Sequence, residues 1–104
     1  MKLKKCIFVA KMDNEKLKRV RNKIDKLDYK LINIIKKRTD LVKQIIKIKK
    51  YKKQIIDQNR IKKVLRNIKK ISIKQNIDPR ITQKIWNSMI RSYIDYERRN
   101  FNKK

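Results

Sequence analysis

Hydrophobic residues in the first half of the chain recur in alternating steps of three and four: Leu17, Val20, Ile24, Leu27, Leu31, Ile34, then Arg38, then Leu41, Ile45 and Ile48. That spacing is one stripe of an α-helix held over more than four heptads, with Arg38 as its single polar member. Met12 and Leu17 bracket a capping Asp13 as a hydrophobic staple, which predicts a helix start at residue 13. With no Gly in the chain and no Pro before Pro79, this helix is predicted to reach about residue 50, roughly 55 Å at 1.5 Å per residue. The remainder of the chain is too short to cover it alone.

KKYKKQ, residues 49–54, lacks the apolar repeat and reads as a linker. Ile56, Asp57 and Ile61 repeat the staple pattern and open a second helix carrying Ile61, Val64, Leu65, Ile68 and Ile71. Asn76-Ile77-Asp78-Pro79 supplies a break, a capping Asp and a Pro suited to the first helical position. A third helix follows with Ile81, Ile85, Trp86, Met89, Ile90, Tyr93 and Ile94. The predicted fold is all-α, a three-helix chain with one long N-terminal helix. Residues 1–12 are expected to be a tail or an added strand, residues 13–98 one helical domain, and residues 99–104 a basic tail that frays.

A second row on the first helix runs Arg21, Ile24, Asp28, Leu31, Ile35, Arg38, Val42, Ile45, Lys49. Arg38 belongs to both rows and is expected to point inward. Eleven residues separate Arg38 from Lys49, placing them within ~20° around the axis and ~16 Å along it, close enough to grip one small anion between long side chains. Arg21 lies ~25 Å from Arg38 and ~42 Å from Lys49 on a straight helix, out of reach of the same anion. An antiparallel second copy of the helix would bring its Arg21 beside Arg38 and Lys49, giving an intertwined two-fold dimer with two equivalent pockets. Inward guanidinium groups without carboxylate partners are costly, so such a pocket suits a ligand bearing carboxylates. Buried registry charges in a coiled coil, or neutralisation by Asp28, are the plainer readings of the same pattern.

Asp57 and Arg60 share a face at the start of the second helix, where a cap followed by a solvated Arg is the plain reading and a carboxylate-binding fork the functional one. Trp86, Ile90, Tyr93 and Glu97 form one stripe on the third helix. Trp86 reads as core, whereas Glu97 either frays into solvent or aims into a pocket.

Charge alters this picture only slightly. Lys and Arg number 34 against nine acidic residues, a formal net charge of +25, which would suit nucleic acid, an anionic surface or an anionic small molecule. The excess is mostly Lys spread along the whole chain, as compositional drift of surface positions would produce. Few aromatic residues interleave with the basic ones, so a nucleic-acid-binding dimer is the weaker alternative, one that predicts steep salt dependence. Cys6 is the only cysteine and His is absent, so no internal disulfide forms, a zinc site has too few ligands, and a reducing cytoplasm is the expected setting. The run CIFVA is too short for a signal-peptide core or a membrane span.

Taken together, Arg21-x-x-Ile24-Asp25-x-Leu27-Asp28-x-x-Leu31-Ile32, Arg38 ahead of Leu41-Val42, Lys49, and Asp57-x-x-Arg60 resemble the all-helical chorismate mutases. The likeness runs from about residue 13 to residue 98. It implies an intertwined homodimer, no cofactor or metal, and a dianionic small-molecule substrate, chorismate, rearranged to prephenate in phenylalanine and tyrosine biosynthesis. By the same resemblance Arg21 is lent across the interface, Arg38 binds a carboxylate, and Lys49 holds a carboxylate and the ether oxygen. Asp57 would lie near the substrate hydroxyl, with Arg60 a further ligand or organiser. Ile61 stands where a Glu is common, Tyr93 where a Ser is common, and Glu97 where a Gln often donates to the ether oxygen. Isochorismate pyruvate lyases and aminodeoxychorismate mutases share this fold, and an aliphatic residue at the position of Ile61 is familiar among them.

Overall fold

The computed structural model describes the backbone of residues 2–102 and the side chains of residues 13–102. Three helices follow one another: α1 Lys2–Ile48, α2 Gln58–Lys74 and α3 Pro79–Asn100, with a single 3₁₀ turn, Lys52–Gln54, between the first two. Two compact units divide the chain, residues 1–39 and residues 40–104. The first is helical throughout; the second holds the last turns of α1, the 3₁₀ turn, α2 and α3.

α1 starts earlier than its staple suggests. It begins at Lys2, so Asp13 lies inside a helix rather than at its cap, and residues 2–12 are helical rather than an added strand. No Gly or Pro interrupts those residues, so nothing local opposes helix propagation through Asp13. The side chains of Met12 and Cys6 lie outside the described residues.

The two later helix starts follow their sequence signals. Asp57 caps α2, its side chain accepting from the Arg60 N–H, with Oδ1 at 3.0 Å. Asp78 caps α3 by accepting from the Arg80 N–H at 2.9 Å, with Pro79 in the first turn where its missing N–H costs nothing. Between them α2 ends in a Schellman turn built without glycine. Asn76 takes the left-handed conformation at φ 58°, its N–H donates to the Ile73 carbonyl, and the Ile77 N–H donates to Ser72 O at 2.8 Å.

α2 packs on α3 through a polar seam that apolar periodicity does not reveal. Ser72 is 2% exposed; its Oγ donates to the Ile68 carbonyl at 2.6 Å and lies 2.6 Å from Thr82 Oγ1. Gln83 Nε2 donates to Leu65 O at 3.0 Å, tying the second turn of α3 to the middle of α2. A serine at the contact lets the two backbones approach, and its hydroxyl stays satisfied where burial would otherwise penalise it.

Along the end of α1 Val42 is buried and Ile46 and Lys49 are half-buried, while Leu41, Ile45 and Ile48 of the heptad stripe are 58%, 43% and 76% exposed. Further back on α1, Leu17, Val20, Ile24, Leu27, Leu31 and Ile34 are exposed as well. Val42 and Ile55 are the buried hydrophobic residues among those described. At the far end, Arg98, Arg99 and Asn100 continue α3 and Phe101 is half-buried, so the expected fraying does not begin at Arg99. No helix among the described residues is long and apolar enough to cross a membrane.

Candidate functional site

Within the second unit, the chain leaving α1 turns back immediately. Lys49 donates its N–H to Ile45 O as the last bond of the helix, and its side chain runs to two acceptors. Nζ lies 3.2 Å and 3.5 Å from the two carboxylate oxygens of Glu97 and 3.4 Å from the Ile55 carbonyl. Glu97 is 7% exposed on the last turns of α3, so it does not fray into solvent, and it is not itself a lining residue of the pocket described next. Isolated burial of this carboxylate would be costly, and Lys49 offsets it with opposite charge.

An open pocket of about 470 Å³ adjoins this pair, lined by Lys49, Gln54, Ile56, Asp57, Gln58 and Asn59. Its wall is therefore the start of α2 and the turn before it. One cation, one carboxylate and three side-chain amides give it donors and acceptors for a small polar molecule. Asp57 does two things at once: it caps α2, as the plain reading has it, and it lines the pocket. Half-buried Ile61 and Tyr93 and exposed Arg60 are not lining residues of this pocket.

Arg21 and Arg38 stand on α1 in the first unit. Arg38 is half-buried, as expected of a residue shared by two rows, and Arg21 is exposed. Of the site residues inferred from the sequence, then, the structure brings Lys49 and Glu97 into contact and sets Lys49 beside Asp57. Gln54, Gln58 and Asn59 escaped the sequence reading. They interrupt a lysine-rich stretch with amides just before and after the Asp57 cap, and that local change of character is the signal that could have drawn attention to them.

Residues 20–98 match the family described as chorismate mutase type II, a span that includes every one of the inferred site residues from Arg21 to Glu97. The chain is also 34% identical over 98 residues to the chorismate mutase of Methanocaldococcus jannaschii, covering 86% of this chain and 98% of that protein. No solved structure matches significantly. With a family match over most of its length and a relative covered almost end to end, this chain belongs to the type II chorismate mutases.

Proposed function

We propose that this protein rearranges chorismate to prephenate by clamping the dianionic substrate among cationic side chains, working as an antiparallel homodimer. The carrying observation is Lys49, a half-buried cation that lines a polar pocket and pairs with the buried Glu97, inside the span that matches the family. The reaction is unimolecular and needs no nucleophile. It gains from holding the enolpyruvyl arm over the ring and from cations placed where the breaking C–O bond becomes negative.

In this reading Lys49 releases part of its contact with Glu97 when substrate arrives and donates to the ether oxygen. Arg38 and Arg21 of the partner subunit bind the two carboxylates, and Asp57 and Arg60 organise the hydroxyl end. Glu97 can donate to the ether oxygen only when protonated, because a carboxylate is purely an acceptor. The pair seen here is then the resting state of the two groups.

The exposed stripe of α1 supports the second copy. Leu27 at 57%, Leu31 at 53% and Ile34 at 59% exposed form a continuous apolar row of the kind that monomers rarely leave open. Among the described residues Val42 and Ile55 are the buried hydrophobic ones, a small core, which supports burial between chains.

Following the loss of chorismate absorbance with wild-type protein and with Arg38→Ala tests the proposal. Turnover by wild type, with loss in the variant while the dimer persists, is the expected result. A fully active Arg38→Ala would overturn the clamp. Ile61 keeps one competing substrate in view, since an aliphatic residue follows Arg60; pyruvate release from isochorismate exceeding chorismate turnover would favour the lyase reaction.

A further inference from the structure

What stops α1 at Ile48 is not obvious from composition, because the chain has no glycine and the next residues, Lys49 and Lys50, are ordinary helix formers. Were the helix to continue, the N–H groups of Lys50 and Tyr51 would donate to the carbonyls of Ile46 and Lys47. Both instead donate to one side-chain atom, Gln54 Oε1, at 2.8 Å and 2.9 Å. The same residue closes the turn from the other side: Gln54 N–H donates to Tyr51 O at 3.0 Å, and Ile55 N–H to Lys52 O at 3.1 Å.

Two ends of this turn matter to the site. Lys49 immediately precedes it and Ile55 immediately follows it, and they meet where Lys49 Nζ donates to the Ile55 carbonyl. Ile55 is 5% exposed, so that carbonyl is anchored in the core. Gln54 itself lines the pocket beside Lys49.

We infer that Gln54 is a positioning residue for Lys49: by accepting from the Lys50 and Tyr51 amides it ends α1 and sets the turn that delivers the Lys49 ammonium to the pocket. This rests on the mutase reading for its kinetic consequence, but not for its structural one. Misplacing a charge that acts on the breaking bond lowers the rate of chemistry more than it lowers binding, and about 1 Å is enough to matter.

The experiment compares Gln54→Ala and Gln54→Glu with wild type by chorismate kinetics and by amide hydrogen exchange at Lys50 and Tyr51. Gln54→Ala should lose at least about tenfold in kcat with KM within about twofold of wild type, and both amides should exchange at altered rates. Gln54→Glu preserves the double acceptor, so kcat should stay near wild type; its added carboxylate should raise KM for a dianion. The inference is overturned if Gln54→Ala keeps its kcat, or if Gln54→Glu loses kcat as deeply as Gln54→Ala. Should wild type prove inactive on chorismate, the mutase reading fails by itself. The exchange data then decide the turn: unchanged amides in Gln54→Ala overturn the role of Gln54, and altered ones uphold it.

Discussion

The two units solve burial in opposite ways. In residues 40–104 a polar seam at Ser72, Thr82 and Gln83 and an ion pair between Lys49 and Glu97 are satisfied inside one chain. In residues 1–39 the apolar stripe from Leu17 to Ile34 is left open. One region pairs its polar groups within a single copy, though Leu41, Ile48 and Ile71 stay exposed on it, and the other leaves a continuous apolar row exposed. The difference teaches where the account should be attacked: at the stripe for assembly and at the ion pair for chemistry.

The largest effect is expected from the stripe. Leu27→Lys combined with Leu31→Lys places charge on both exposed positions and should abolish association, taking activity and most of the stability with it, as sedimentation and thermal melting will show. A variant that remains a dimer would sever the stripe from assembly. Next comes Lys49→Ala, which removes the donor to the ether oxygen and should lower kcat by about 10²–10³. It also leaves Glu97 buried without its cation, so denaturant unfolding should register a loss of about 3 kcal/mol. Equal stability would show that the pair at 3.2 Å contributes nothing measurable in the folded chain.

Smaller effects sharpen the same contrast. Glu97→Gln puts a side-chain donor where a carboxylate only accepts and should retain kcat, whereas Glu97→Ala should lower it, as chorismate kinetics will show. An unchanged kcat in Glu97→Ala would remove Glu97 from the chemistry and leave it as a structural partner of Lys49. Smallest of all, Asn76→Ala puts a Cβ without a local hydrogen-bonding group at φ 58° and should cost about 1 kcal/mol in unfolding experiments while kcat stays unchanged. Altered kcat there would mean that the α2–α3 turn reaches the site.

Much of this architecture was legible because its signals are local. Asp57, Asp78 and Pro79 announce two helix starts through capping chemistry that acts within four residues. The stripe on α1 and the place of Arg38 within it follow from helical period alone. Local logic failed where two signals competed. The Asp13 staple suggested a start that uninterrupted helix former sequence overrode. The choice between the rows Leu41–Ile45–Ile48 and Val42–Ile46–Lys49 depends on what packs against the helix end, which period cannot decide. Ser72 and Gln54 were invisible for a related reason: each works through hydrogen bonds whose partners are fixed only by a turn or a neighbouring helix.

The central claim is a site divided between two copies, with Lys49 from one and Arg21 from the other. It is tested most directly by mixing Arg21→Ala and Lys49→Ala proteins, unfolding and refolding them together, and measuring chorismate turnover of the captured mixed species. Random pairing makes half of the dimers mixed, each with one intact site of two, so the unfractionated mixture should regain about a quarter of wild-type activity from two nearly inactive parents. Mixed dimers that form but stay as inactive as their parents would show that both residues serve a site within one chain.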